Sequence, residues 1–214
     1  MHIPDGFVSP QTYLPAYGLA CAAWLVAARG LRQRLDEQTV PRLATMTALA
    51  YGLGLVMVPL PGGTSGHALG IAILTLLFGV RLSFLSYSMV LLLQSLLFGA
   101  GGITALPVNA LAMGLVGAWV AHITYRSLRR VNDSLAVILA AWLSVMASAT
   151  VVGGVLGIQP LIAHRPDGTP LFFPFGLSIV LPAILIPHLL IGVGEALLTL
   201  FVLRLAGSRA WRAV

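Results

Sequence analysis

The sequence predicts an all-α, polytopic membrane helical bundle, and three observations predict it. Apolar residues make up 58% of the chain and charged residues only 8%, where a soluble domain carries about 25% charged residues. Apolar runs long enough to cross a hydrocarbon core recur from one end to the other. All 12 basic residues are arginine, and they gather on alternate connections between those runs. The runs are continuously apolar rather than alternating, which disfavours a β-barrel. A single transmembrane domain over residues 1–214 is expected, with no soluble module attached.

Seven apolar segments follow in order: Thr12–Ala28, Leu43–Pro59, Ala68–Val80, Phe84–Gly99, Val108–Tyr125, Leu135–Leu156 and Phe175–Leu203. The expectation is therefore seven transmembrane helices. Arg29, Arg32, Arg34 and Arg42 follow the first, Arg81 the third, and Arg126, Arg129 and Arg130 the fifth. Arg204, Arg209 and Arg212 close the chain, and only Arg165 lies on the other side. The positive-inside rule places the arginine-rich connections in the cytoplasm. With an odd number of spans, the N-terminus is then outside and the C-terminus inside a cytoplasmic (inner) membrane. The +6 net charge thus reflects topology rather than nucleic-acid binding.

The outer connections, Leu60–His67, Ala100–Pro107 and Gly157–Pro174, are rich in turn-forming Gly, Pro and Thr. The third segment is short, so the Gly62–Gly66 stretch is expected to fold inward as a loop enclosed by protein. Pro182 and Pro187 predict a bend or break in the last segment. In the first, Ala16, Ala20, Ala23 and Ala27 recur at helical spacing, and Gly114 and Ala118 do so in the fifth. Such small residues let helices approach closely. Internal packing is the plainer reading; a docking face for a partner membrane subunit is the sharper one.

The first ten residues, MHIPDGFVSP, hold no Lys or Arg, so no cleaved leader is expected. A retained Met1 would put a free α-amine next to His2. The amine and the His2 amide nitrogen can close a five-membered chelate ring on one ion. The amide and Nδ1 of the His2 imidazole can close a six-membered one. Three nitrogens in one plane suit Ni(II) or Cu(II). The best supplier of a fourth is His67, at the end of the Pro61–His67 stretch PGGTSGH and on the same expected side as residue one. Its other ring nitrogen would take a supporting hydrogen bond.

Around that site, Thr64 and Ser65 are candidate supports. Asp5 is expected to cap a turn or orient His2, and Gly101 to Thr104 to cover the site from outside. Gln94 and Asn109 lie in or near spans, where amides must find partners; bonding within the bundle and support of the site are both open to them. His188 and Glu195 share one face of the last segment, and Glu195 is costly there unless paired. A hydrogen-bonded lock, a proton-linked element, gating and partner contact are its candidate roles. His122 reads as interfacial and His164 as a reserve ligand. Cys21 stands alone, which excludes an internal disulfide and a cysteine-based metal cluster. There is no phosphate-binding GxxxxGK[ST] loop and no HExxH pair. An enzyme is not expected, and uphill transport would draw its energy from a partner.

MHIPDGF at the start, PGGTSGH at Pro61–His67, LLQSLLFGAGGITALPVNALAMG at Leu92–Gly114 and HLLIGVGEALLT at His188–Thr199 resemble the nickel/cobalt branch of energy-coupling-factor transporters. More narrowly, the chain resembles their substrate-specificity component, the CbiM/NikM family, over nearly its whole length. The resemblance implies seven transmembrane helices, with Ni(II) or Co(II) as transported substrate and no organic cofactor. It implies an ion held by the Met1 amine, the His2 amide nitrogen and the imidazoles of His2 and His67. It also implies a transmembrane coupling subunit, ABC-type ATPase subunits and a small accessory membrane protein as partners. No fused form of that accessory protein is expected in a chain ending at Val214. Ala100, where relatives often carry Asp or His, and Pro107-Val108 before Asn109 depart from the family pattern and put the loop's supporting role in question. Pro4-Asp5 leans toward the nickel type. Two other readings stand beside this one: a structural or assembly membrane protein with incidental histidines, and an organic-substrate permease, which would need more polar groups within its spans.

Overall fold

The computed structural model describes residues 1–60 and 64–208. Six helices carry the fold among these residues: α1 Pro10–Ala28, α2 Thr39–Leu55, α3 Ile71–Phe98, α4 Leu106–Leu128, α5 Asp133–Ile162 and α6 Leu177–Ser208. Four of them, α3 to α6, are long and apolar enough to cross a membrane. The expected seven transmembrane helices are thereby corrected. The predicted segments Ala68–Val80 and Phe84–Gly99 correspond to the two helical runs of α3, which meet at Gly79 (φ 78°, ψ 167°), the one residue inside it with non-helical geometry. That backbone region is open essentially to glycine alone. Arg81, which divided the two segments in the sequence, sits exposed on the flank of this element.

Local chemistry sets the ends. Pro10 opens α1 with its fixed φ in the first turn. Asn132 caps α5 by accepting the Leu135 N–H at 3.0 Å, and Asp133 in the first turn favours the helix dipole. Gly99, left-handed at φ 63°, closes α3. Pro182 and Pro187 lie within α6, which stays one helix past both, so of the expected bend or break no break occurs. Within α4, Ala110–Val116 is wound as a π-helix directly after Asn109, a local distortion that is often found at functional sites.

Between α2 and α3 the chain forms an antiparallel pair, β1 Val58–Leu60 with β2 Thr64–Gly66, in which Pro59 faces Ser65. The expected inward loop falls partly on Pro61, Gly62 and Gly63, which lie outside the described residues, as do Arg209 and Arg212.

The core is built by small residues as much as by large ones. Ala118, Ala140, Ala141, Val145 and Ala149 are inaccessible, while Leu14, Leu96, Leu97, Leu190 and Phe201 face outward, as suits a protein whose surrounding solvent is hydrocarbon. Gly114 brings α4 against Phe84 of α3, and Gly192 brings α6 against Trp142 of α5, whose indole N–H donates to the Leu189 carbonyl at 3.2 Å. In α1, Ala20 and Ala27 are buried, and Ala16 and Ala23 pack against the same core. The alanine stripe is turned toward the bundle itself.

Charge is segregated along the bundle. Arg34, Arg81 and His122 line one cleft with Gly79, and Arg204 of α6 donates to Ser134 at the start of α5. The N-terminal residues join the other end. Phe173, just before α6, donates its N–H to the Phe7 carbonyl at 3.2 Å. The Ser9 N–H donates to Oε1 of Gln159 at 2.9 Å.

Candidate metal centre

The first three residues are threaded into the protein. Met1 is 1% exposed, His2 4% and Ile3 0%. Asn109 holds this segment by both atoms of its amide. Its Oδ1 accepts the Ile3 N–H at 3.0 Å, and its Nδ2 donates to the Ile3 carbonyl at 3.1 Å. The Gly102 N–H donates to the same carbonyl at 2.9 Å. The peptide groups just beyond His2 are thereby fixed, which leaves its ring little freedom of approach.

Asp5 ties the same segment to the 101–106 connection. Its carboxylate accepts the Thr104 N–H at 2.8 Å, the Ile103 N–H at 3.1 Å and the Thr104 hydroxyl. Burial pushes the Asp5 carboxyl up, but the hydrogen bonds from Thr104, Ile103 and Ala105 outweigh it and hold the group below its ordinary value. Two glycines make the approach feasible. A Cβ on Gly102 would lie 2.4 Å from the Asp5 backbone nitrogen. One on Gly101, which is left-handed at φ 89°, would lie 3.4 Å from the His2 Cβ.

His67 arrives from the β2–α3 connection, 3% exposed. Its ring lies over that of His2 with centroids 4.3 Å apart and planes inclined by 23°. His67 Nδ1 is 3.0 Å from the Ala68 carbonyl. A carbonyl can only accept, so Nδ1 carries the proton and Nε2 of the neutral ring keeps its lone pair. That Nε2 and both ring nitrogens of His2 are buried with no hydrogen-bond partner. Orphaned buried nitrogens cost free energy unless something else engages them.

The electrostatics favour neutral donors. Burial pushes the Met1 amine down to about 5. Burial, joined by the adjacent amine, pushes the His2 ring down to about 3. Burial pushes His67 well below its ordinary value, with His2 and the amine adding to it. All three groups are therefore free bases at neutral pH. Among the described residues no three His, Cys, Asp or Glu side chains gather into a metal-binding group. A metal here would have to draw on main-chain nitrogen as well as on the two imidazoles, and the residues present offer that set.

The remaining predicted residues fall around this centre or away from it. The backbone of Thr64 and Ser65 forms β2; their side chains lie outside the described set. Gln94 is buried and donates to the Tyr51 carbonyl of α2 at 3.1 Å, tying α2 to α3. His188 is fully buried, with Nδ1 2.7 Å from the Ile184 carbonyl and Nε2 unpartnered. Glu195, 1% exposed, accepts the Leu69 N–H at 2.8 Å and the Gly70 N–H at 2.7 Å. His122 is half-buried at the arginine-rich end, and His164 is exposed. Gln159 is not among the residues predicted from sequence; it is inaccessible and binds both Ser9 and the Val155 carbonyl. A single amide in an outer connection carries no distinguishing signal. The grip on Ile3, which resides in backbone atoms, is likewise not among the predicted features.

Fold and site together define a multi-pass membrane protein that buries Met1, His2 and Ile3 beside a histidine from the middle of the chain. Over residues 2–213 the sequence matches the family described as CbiM, cobalt uptake substrate-specific transmembrane region, and the chain belongs to that family. It is 37% identical over 206 residues to the probable fused nickel transport protein LarMN of Lactiplantibacillus plantarum, covering 94% of this chain and 63% of that protein. It is 36% identical over 218 residues to the fused nickel transport protein NikMN of Rhodobacter capsulatus, covering 99% of this chain and 61% of that protein. The chain thus spans less than two thirds of these fused relatives. The cobalt transport protein CbiM of Thermosipho melanesiensis is 30% identical, with 96% of this chain and 86% of that one aligned. A crystal structure of a truncated transition metal transporter superposes with a TM-score of 0.94 at 34% identity, covering 98% of this chain and 99% of that one.

Proposed function

We propose that this chain is the substrate-specificity component of an energy-coupling-factor transporter and captures Ni(II) or Co(II) for uptake across the cytoplasmic membrane. The observation that carries the reading is the set of buried, unpartnered imidazole nitrogens of His2 and His67 next to the buried Met1 amine. The substrate ion is held by that amine, the His2 amide nitrogen, His2 Nδ1 and His67 Nε2. The amide gives up its proton as the ion binds. An in-plane nitrogen set of this kind suits Ni(II), a d⁸ ion, and Co(II) in its low-spin d⁷ form better than an ion that prefers tetrahedral ligation. The nickel and cobalt in the relatives' names support the same substrate class.

The protein's contribution is position and dryness. Asn109 and Gly102 fix the Ile3 peptide, and Asp5 pins the connection that covers the site. With neutral, desolvated donors, protons compete weakly for the site at neutral pH. The site faces the outside of the membrane, opposite the arginine-rich end of the bundle, which the positive-inside rule assigns to the cytoplasm. Inward release is driven by partners: a transmembrane coupling subunit, ABC-type ATPases and a small accessory membrane protein. ATP is hydrolysed there and not in this chain.

A competition series with nickel, cobalt, copper and zinc on purified protein at fixed pH tests the proposal. Tight binding of nickel or cobalt, lost in both His2→Ala and His67→Ala, is expected. Absence of tight binding by any of the four metals would leave the reading of a structural protein with incidental histidines.

A further inference from the structure

The only acidic side chain within the last helix touches the metal centre through a single peptide group. Glu195 of α6 accepts the Leu69 N–H through Oε2 at 2.8 Å and the Gly70 N–H through Oε1 at 2.7 Å. The Leu69 nitrogen belongs to the same peptide unit as the Ala68 carbonyl, and that carbonyl accepts His67 Nδ1–H at 3.0 Å. The order is carboxylate, peptide N–H, peptide C=O, imidazole Nδ1–H, and then the unpartnered Nε2. Metal-bound histidines commonly donate their second ring N–H to a carboxylate, which fixes the tautomer and ring direction and raises donor strength. Here a peptide group stands between carboxylate and ring, and hydrogen bonds in such a chain polarise one another.

We propose that Glu195 is a positioning residue for the metal centre: a carboxylate–peptide–histidine relay that holds His67 in the tautomer and direction needed to present Nε2. This rests on the reading of His67 as a metal ligand.

The alternative, that Glu195 only caps the start of α3, accounts for part of the geometry. The Leu69 and Gly70 amides precede the first turn of α3 and need an acceptor away from water. Gly70 itself is pinned, because a Cβ there would lie 2.9 Å from the Ala50 Cβ of α2. Capping alone, however, would leave the electronic character of the His67 nitrogen untouched. The relay predicts that it changes.

Cu(II) serves as the probe, because its paramagnetic resonance reports the nitrogens in its plane. The experiment compares the unaltered full chain with Glu195→Gln, Glu195→Asp, Glu195→Ala and His67→Ala, measuring Ni(II) affinity and the Cu(II) spectrum of each purified protein. Losses of roughly 10- to 100-fold in Ni(II) affinity are expected for the Glu195 variants, the range found for groups behind a metal ligand. Glu195→Ala and Glu195→Asp should give the Cu(II) spectrum of His67→Ala, with one nitrogen fewer. Glu195→Gln keeps the shape and one acceptor, so it reads the relay even if the alanine variant does not fold. It should lose least and keep the full nitrogen set with altered parameters. Glu195 variants with an unchanged Cu(II) spectrum, whatever their affinity, would overturn the relay and leave a plain helix cap. If His67→Ala itself kept the full spectrum, the ligand assignment would fall, and the relay with it; the shared series tells these failures apart.

Discussion

Asn109 engages both backbone groups of Ile3: its Oδ1 accepts the N–H at 3.0 Å and its Nδ2 donates to the carbonyl at 3.1 Å. A side chain at the start of the π-wound stretch of α4 thus dictates where His2 stands. Asn109→Leu removes both bonds, which leaves the Ile3 N–H without a partner and its carbonyl with the Gly102 N–H alone. The cost should be about 1–3 kcal/mol of stability, read as a lowered melting temperature in detergent. Nickel affinity should fall roughly 10- to 100-fold, read by titration calorimetry.

Gly102→Ala should do comparable damage by steric means. Its Cβ would meet the Asp5 nitrogen at 2.4 Å, a backbone atom that cannot turn aside. Overpacking of this kind costs about 1–3 kcal/mol. The N-terminal segment must shift away from the covering connection, so metal affinity should drop while the helix content seen by circular dichroism is preserved.

Acidification should destabilise the metal-free protein. The Met1 amine is lowered from 8.0 to about 5 and the His2 ring from 6.5 to about 3, both chiefly by burial. In each case the unfolded chain binds the proton more readily than the folded one. Stability is therefore fully present above the unfolded values, and it is lost as pH falls from about 8 toward 3. Thermal melts of metal-free protein at several pH values in this window should show a steady fall. A melting temperature that rises on acidification would mean that these groups are not buried as free bases.

Gly79→Ala probes the junction between the two helical runs of α3. The position has open space for a Cβ, yet its φ of 78° and ψ of 167° suit only glycine. The substitution should cost about 1–3 kcal/mol from backbone strain alone. A melting temperature equal to that of the unaltered protein would show that the bend is not needed.

The parts of this protein that the sequence makes legible are those set by local chemistry. Adjacent amine, amide and imidazole can chelate whatever the fold, so Met1 and His2 stand out without any tertiary information. The apolar runs and the arginine pattern likewise reveal a membrane bundle. The number of helices was not legible. One glycine joins the two helical runs of α3 with no loop between them, and an arginine two residues later looks like a boundary. Nor could the partner of Glu195 be read, because it consists of two backbone amides that lie 126 and 125 residues earlier in the chain. Such groups are present at every residue, and only the fold chooses among them. The alanines of α1 show the same limit from the other side. Their spacing announces close approach, but whether it is to the bundle or to a partner is a matter of which way the face turns, and here it turns inward.

Whether the Met1 amine is a metal ligand is read most directly by Ni(II) titration of two otherwise identical proteins. One begins at Met1; the other carries two extra residues ahead of it. The extended chain still holds both imidazoles but has an amide in place of the amine. It should bind nickel at least about 100-fold more weakly, equivalent to roughly 2.8 kcal/mol. Equal affinity in the two proteins would contradict the amine's role as a ligand.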